Sequence, residues 1–520
     1  MKKVYRPAFT LLLLAITFSC EDFLEKDNYN TLNENLFYKT DDDAEKAITG
    51  AYVPFRWQGQ YRTRLYWLNS ICSDLSHPGG VNDNREYDEF EDYNIKSDNI
   101  ALYQMWVDAW PSIMRANSVL AKIPNTEMDE SQKNRILGEA RFIRGLVYFN
   151  LVRIFGKVPI ILEVQNPSDM YVSRDEVDDV YKLIASDLNF AEANLPESYP
   201  PDQVYKATKG AARAFLSKVY LTRGNLGIYE SAPCWDSAAY WAGQIIESGR
   251  YSLWQDNDPE VVNSIFIRNG YHANFRTENG KESIFELQYS DALGTDWSGI
   301  AQEISERDAC RPCSYSNWGR NTNFPKVNFV EEWLAEAPGD VRFDVTILAD
   351  GDTMWLPGGN TLTGEDFYVH DKSMVTVGTN ITGYIVEKWQ YGNTNGRESS
   401  PQNMAIMRYA EVLLIMAEAL NEMGNTGEAY QYINEVRQRA HLPELSGLGQ
   451  DQFRDAVLLE RKYELAYEFN RWFDLTRTGK LIEAVFEDRG AVLTENNLIL
   501  PIPLDELTTN PNLGPQNEGY

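Results

Sequence analysis

The chain has 520 residues, with 77 acidic against 48 basic side chains and a formal net charge of −29 at pH 7. A surface this acidic repels the phosphates of nucleic acids and anionic lipid head groups, which argues against nucleic-acid binding. The sequence contains four histidines and five cysteines, and few of them are spaced like the ligands of a zinc site. We expect no metal and no cofactor.

The first nineteen residues have the layout of an export signal. Three cations in the first six residues precede an uncharged, leucine-rich stretch, which is shorter than the ~20 residues that a membrane-spanning helix needs. Cys20 follows, and a cysteine at this junction resembles the lipobox of bacterial lipoproteins, in which the thiol is lipidated. We predict a lipoprotein signal peptide at 1–19, a lipid anchor at Cys20 and a leash at 20–39. The alternative is an ordinary cleavable signal with an incidental cysteine.

Helical patterns follow the leash. Thr40 and the three aspartates after it are typical of a helix N-cap with acids in the first turn, and this helix runs through Tyr52. A longer helix is predicted from Ser131, with an apolar face at three- and four-residue spacing, until Gly156 ends it. Further helices are predicted at 106–123, 176–195, 209–223 and 235–248.

Between 251 and 402 the sequence is rich in glycine, asparagine, threonine and aromatic residues, and long helical periods are few. This composition predicts loops, turns and short strands. Helical patterns return at 407–423 and 429–440, where Ala417 and Ala429 hold the small-residue positions of a tetratricopeptide helix pair. The predicted fold is therefore mainly α.

A last long helix is predicted at 452–473. Charged residues recur along it and just beyond at helical spacing: Glu460, Arg461, Glu464, Glu468, Arg471 and Asp474. We interpret this pattern as ion pairs that orient the helix, because side chains three and four residues apart are neighbours on one face. A catalytic role is the less favoured interpretation.

Several segments in order resemble proteins of the SusD/RagB family: Gly138–Pro159, Leu459–Lys480 and the closing stretch from Pro501 to Tyr520. The resemblance implies one globular unit over 40–520, with about four tetratricopeptide-like helix pairs at 40–250 and 403–480 and a loop-rich insert at 251–402. It also implies a lipoprotein on the outer face of the outer membrane that binds nutrients, usually glycans. The implied partner is a SusC-like TonB-dependent transporter.

Sugars are gripped by flat aromatic rings with amides, acids or arginine at the hydroxyl edge, so we looked for aromatic residues in polar, turn-rich sequence. Two regions qualify, and their candidate ligand-binding residues are Trp57, Trp67, Asn82, Asn84 and Arg85 in the first and Trp297, Tyr315, Trp318 and Arg320 in the second. An acidic run at 83–92 lacks the spacing of a calcium loop, and we interpret it as a solvated face.

Cys310 and Cys313 are closely spaced, and the sequence is consistent with a local disulfide between them or with two free thiols. No nucleophile-elbow or zinc-protease motif occurs, so we expect a binding protein and no enzyme. Two alternatives remain: a surface binder of peptides or glycoproteins on the same scaffold, and a surface glycoside hydrolase, whose two carboxylates sequence cannot place in space.

Overall fold

The computed structural model describes residues 38–78, 85–163, 171–227, 234–289, 323–355, 367–369, 383–389 and 402–520. Within these ranges the chain is mainly α-helical, as predicted. The first half contains α1 (Asp41–Tyr52), α2 (Arg64–Ile71), α3 (Arg85–Glu91), α4 (Ile100–Val107), α5 (Trp110–Lys122), α6 (Glu130–Phe155), α7 (Val177–Asn194), α8 (Lys209–Asn225) and α9 (Cys234–Ile246). No helix of these ranges is long and apolar enough to cross a membrane.

The predicted helix ends have the expected chemistry. At the start of α1 the Thr40 hydroxyl accepts a hydrogen bond from the Asp43 amide, and the Asp43 carboxylate accepts one from the Thr40 amide, which forms a capping box. At the end of α6 Gly156 adopts a φ of 70°, a left-handed conformation that a residue with a Cβ rarely takes.

The predicted helix at 106–123 is wrong in one respect, because the structure divides it into α4 and α5. Pro111 explains the break. It has no amide hydrogen to donate, and its ring would clash with the Val107 carbonyl four residues earlier. Near the start of α5 neither property costs a hydrogen bond, so the proline begins a new helix.

The insert contains short helices: α10 (Pro259–Val262), α11 (Gly270–Ala273), α12 (Val327–Glu336) and α13 (Phe343–Thr346). The strands of the described chain are β1 (Ser76–His77), β2 (Ser283–Leu287), β3 (Phe324–Pro325), β4 (Ile347–Leu348), β5 (Thr353–Trp355), β6 (Phe367–Val369), β7 (Ile385–Val386) and β8 (Met404–Arg408). They pair antiparallel as β1 with β3, β2 with β8, β4 with β7, and β5 with β6.

The C-terminal part contains α14 (Tyr409–Glu422), α15 (Thr426–Arg439), α16 (Gln450–Glu464), α17 (Arg471–Arg477), α18 (Leu481–Arg489) and α19 (Leu504–Thr509). The predicted helix at 452–473 is therefore also divided, because α16 ends at Glu464. Tyr467 and Phe469 in the connection have φ values of 65° and 62°. This tight turn directs the Glu468 carboxylate to Arg408 and Lys388 in the interior.

Antiparallel helix pairs stack in chain order. The pairs are α1 with α5, α6 with α7, α8 with α9, and α14 with α15; each packs on the next, and α16 packs on the last. Close packing of α6 on α7 depends on Gly145, whose added Cβ would lie 3.3 Å from Leu188 Cγ. A buried bidentate ion pair between Arg144 and Asp187 joins the same two helices.

Glu460 and Glu464 of α16 form buried ion pairs, as predicted, but with partners on other elements and not with residues three or four positions away; these pairs join the helical scaffold to the insert. Arg342 of the insert contacts Glu460 at 2.6 Å and Glu464 at 2.9 Å, and Arg408 of β8 also reaches Glu464. None of these side chains is more than 2% exposed. At this depth, charges are tolerated only because each is paired and hydrogen-bonded.

Candidate functional site

The two regions predicted to bind ligand border the same pair of strands. Residues 79–84 follow β1 closely, and residues 290–322 come just before β3. His77 pairs with Phe324 and Ser76 with Pro325. Because the strands are antiparallel, the described chain before 79–84 and the described chain after 290–322 lie side by side.

Most of the predicted site residues lie outside the described ranges. These are Cys20, Asn82, Asn84, Trp297, Cys310, Cys313, Tyr315, Trp318 and Arg320. Trp57, Trp67 and Arg85 lie within the described ranges, and they differ in how much of each side chain is exposed to solvent.

The pair of strands is held on a polar base. The side-chain amide of Asn323 donates to Ser70 Oγ at 2.6 Å, and the backbone N–H of Lys326 donates to the Leu75 carbonyl at 3.0 Å. The Lys326 ammonium also lies 3.3 Å from Glu91 Oε1. These bonds attach β3 to α2, α3 and the segment before β1. The described residues next to each predicted region are therefore held on the same helices.

The regions also meet at a second point, which sequence reasoning missed. The Arg56 guanidinium lies 6.0 Å from the centre of the Tyr289 ring and donates to the Gln288 carbonyl at 3.4 Å. Arg56 precedes Trp57 in the first region, and Tyr289 is the last described residue before 290–322. The available signal was the position of Arg56 beside a candidate tryptophan.

Trp57 and Arg85 are both accessible. The Trp57 ring is half-buried, and the Arg115 guanidinium lies 5.7 Å from its centre. The Arg85 side chain is 55% exposed and pairs with Glu89 at 2.5 Å and with Asp98. The Arg85 guanidinium is thus oriented by two carboxylates while part of it faces solvent.

The prediction that Trp67 contacts ligand is wrong. Its side chain is fully buried in α2, with the Tyr87 ring at 4.1 Å and the Arg64 guanidinium at 3.8 Å from its ring centre. Every residue of α2 is buried, so this helix has no solvent face from which a tryptophan could bind a surface ligand.

The interpretation of the acidic run as a solvated face is also wrong in part. Glu89 accepts hydrogen bonds from the Asn99 side chain at 2.9 Å and from the Lys96 amide at 3.1 Å. Glu91 lies near Lys326 and Arg489. These two acids stabilise the fold. Within the described ranges no group of three or more histidine, cysteine or acidic side chains could hold a metal ion.

Two family models match the chain. One is described as the SusD family and matches residues 247–520; the other is described as starch-binding, associating with the outer membrane, and matches residues 22–221. The SusD-like protein P2 of Formosa agariphila is 31% identical, and the alignment covers all of both chains.

Solved structures share the fold. A SusD-like protein from Bacteroides fragilis has a TM-score of 0.77 and 22% identity, covering 93% of this chain and 98% of that one. A laminarin-binding SusD-like protein has a TM-score of 0.73 and 29% identity, covering 93% of this chain and 100% of that one. The fold predicted from helical periodicity and from the sequence resemblance is thereby confirmed.

Proposed function

The chain belongs to the SusD family, and from this premise we propose that it is a cell-surface glycan-binding lipoprotein. It captures an oligo- or polysaccharide and delivers it to a SusC-like TonB-dependent transporter of the outer membrane. Family membership and a 29% identical laminarin-binding relative support the ligand class. The description of the second matching model supports the outer membrane as its location.

The proposed ligand surface combines both predicted regions. Trp57 and Arg85 contribute from the first region together with Asn82 and Asn84, and the second contributes the set Trp297, Tyr315, Trp318 and Arg320. The observation that carries this assignment is the pairing of β1 with β3, because it brings the described ends of the two regions together. Aromatic rings and hydrogen-bonding edges from two regions would then face one sugar chain.

The proposed activity is binding without catalysis. Glycoside hydrolysis needs two carboxyl groups beside the sugar, one of them with a raised pKa. Burial raises the pKa of Glu387 to about 7 and also raises the pKa of Glu286. Both carboxyls are buried, at 1% and 6% exposure, and both accept hydrogen bonds from neighbouring residues. Arg268 holds the Glu387 carboxylate and the backbone amide of Asn279 holds that of Glu286, so we assign both carboxyls to stabilising the fold.

Anchoring is proposed through Cys20, with residues 1–19 removed and 20–39 acting as a leash to one unit at 40–520. A leash of that length spans roughly 65 Å at most when fully extended. It would let the protein remain tethered beside an open transporter, so the anchor would serve gating as well as location.

Affinity electrophoresis tests the ligand surface. The native chain without residues 1–20 should be retarded in a gel that contains its glycan. Replacing Trp297 and Trp318 with alanine should abolish the retardation, because the stacking platforms are lost. Trp67→Phe serves as a control for a general effect of tryptophan loss, since Trp67 is in the core. Unchanged retardation of the double variant would contradict the assigned surface and leave the proposed function in place.

A further inference from the structure

A groove lined by tyrosines lies among the described residues, and none of its lining residues belongs to β1 or β3. It runs along β2, between the end of α1 and the connection from α7 to α8, and consists of two hollows. The first has a volume of about 240 Å³ and the second about 310 Å³. Glu286 of β2 borders both, so the hollows are neighbours along one strand.

The first hollow has aromatic walls with fixed orientation. Tyr205 packs edge-on against Tyr52 at 5.9 Å, and its hydroxyl lies 3.0 Å from the Thr49 hydroxyl. Tyr289 and Arg56 close the opposite side, with the guanidinium over the ring. Tyr52 and Tyr289 are buried and form the floor, while Tyr205 is half-buried and presents a flat apolar face, which suits the C–H face of a sugar.

A pair of amides links the two hollows. Asn279 and Gln288 exchange two hydrogen bonds of 2.9 Å each, with Gln288 lining the first hollow and Asn279 the second. Asn403 donates to Gln288 Oε1 at 2.8 Å and fixes its orientation. Gln288 uses its second donor hydrogen on the Glu286 carbonyl, so its amide is fully hydrogen-bonded and serves to orient Asn279. The Asn279 amide keeps one donor hydrogen and one lone pair for a hydroxyl group, because an amide has two donor hydrogens and a carbonyl with two lone pairs.

The backbone beneath the amide pair turns at Asn279, and a buried acid holds it. Asn279 has a φ of 50°, a left-handed conformation that asparagine adopts more often than other residues with a side chain. The backbone N–H of Asn279 donates to Glu286 Oε2 at 2.9 Å, and Glu286 is only 6% exposed.

Charge in the second hollow favours a neutral ligand. Tyr199 and Tyr251 line it together with Arg250 and Lys281. Arg250 lies 3.4 Å from Glu197, and Lys281 lies 2.5 Å from Asp258. Both cations are therefore compensated, and the net charge of −29 on the whole chain opposes an anionic ligand.

We propose that this tyrosine groove binds a neutral oligosaccharide, as an extension of the glycan held at the proposed ligand surface. The inference rests on the proposed function. The link between the sites is at Arg56 and Tyr289, where the groove reaches the residues that border both predicted regions. A longer glycan would occupy the ligand surface and the groove together, and a short one would occupy the ligand surface alone.

Calorimetric titration with glycans of graded length tests the proposal. The probes are a panel of neutral and charged polysaccharides, the neutral ones including laminarin and starch, and oligosaccharides of each. The affinity of the native chain should rise with glycan length. Asn279→Gly combined with Gln288→Ala should weaken binding of the longest glycans about tenfold or more and leave the shortest unchanged. Glycine is chosen at 279 because it tolerates the positive φ.

Controls and a second measurement separate the outcomes. Tyr240 lies on α9 and is 57% exposed. Tyr240→Ala should leave the affinities for the longest and for the shortest glycans unchanged. In the native protein, hydrogen exchange of the backbone amides of residues 199–209 and 279–289 should slow when long glycans are added and not when short ones are. Unchanged long-glycan affinity of the double variant, or no slowing of exchange, overturns the groove and leaves the proposed function standing. A native chain that binds only charged glycans also overturns the groove, and one that binds no glycan overturns both.

Discussion

Arg461 is one of several buried residues whose partners are charged. Its Nε lies 2.8 Å from Asp474 Oδ2 and its Nη2 lies 3.1 Å from Glu411 Oε1, and Arg477 extends the cluster to Glu418. None of these side chains is more than 5% exposed. Removing a charge from water costs several kcal/mol, so the cluster stabilises the protein only while every member keeps its partner.

Asp474→Asn should destabilise the protein by about 3 kcal/mol at pH 7, because Arg461 and Arg477 each lose a buried counter-charge and keep only Glu411 and Glu418 respectively. Urea denaturation measures the change. The control is Asp451→Asn on α16, whose carboxylate is 92% exposed and 2.6 Å from Arg454, and which should cause no measurable change. Equal stability of the two variants would contradict the role assigned to the cluster.

The pH dependence of the same variant has a defined sign. Burial alone would raise the pKa of Asp474, but Arg461 and Arg477 outweigh it and lower the pKa to about 2. A carboxyl with a lowered folded-state pKa contributes stability above its ordinary pKa of 3.8, and this stability is lost as the pH falls towards 2. The difference between native protein and Asp474→Asn should therefore be constant above about pH 5 and shrink below pH 4. A difference that grows in acid would contradict this cause.

At the scale of elements, periodicity predicted where helices occur better than where they end. Apolar spacing located α6 to α9, α14 and α15 because each buries one face against a partner helix. It failed at 465–470, where the charged pattern continues through Asp474 while the helix stops. The break depends on Arg408 and Lys388, which bind Glu468 from 60 and 80 residues away in sequence. Local spacing contains no information on contacts so distant.

Gly59 illustrates a second constraint that spacing did not reveal. It lies in a single helical turn, Gln58–Arg62, that packs against α4. A Cβ at this position would lie 1.9 Å from the Gln104 carbonyl oxygen, which is backbone and cannot rotate away. Gly59→Ala should therefore lower stability by about 2 kcal/mol or more.

Thermal and urea unfolding measure that effect, and Gly50→Ala is the matched control. Gly50 lies inside α1, and a Cβ at this position would have no atom from outside the helix within 4 Å. Alanine there should stabilise α1 by about 0.5–1 kcal/mol. Opposite signs are expected for the two variants; a neutral Gly59→Ala would show that α4 can move away from the turn.

At the scale of the whole molecule, the sequence indicated the fold, whereas the place of the ligand surface stays a prediction and the choice of Trp67 as a contact residue was wrong. Composition separated polar aromatic regions from the helical scaffold, and those regions border one pair of strands. It could not distinguish Trp57, which is half-buried, from Trp67, which is fully buried. Exposure of an aromatic ring depends on which elements pack around it, and α2 is covered by α3 and α4 and also by α17, which lies near the other end of the chain.

The proposed anchor makes a prediction about the intact cell. Cys20→Ala should release the protein from the membrane fraction and impair glycan uptake, because the leash can no longer hold it beside its transporter. Glycan affinity of the purified variant should equal that of the native protein, since Cys20 lies outside the proposed ligand surface. Fractionation, uptake and titration measure these three quantities, and normal uptake by the variant would contradict a role of the anchor in gating.

The central claim is that this protein binds a glycan and does not cleave it. Its most direct test is a titration of the native soluble chain with a panel of polysaccharides, followed by chromatography of each glycan after prolonged incubation. We predict saturable binding to at least one glycan, with its chain length unchanged. Absence of binding to every glycan, or release of shorter sugars, would contradict the claim.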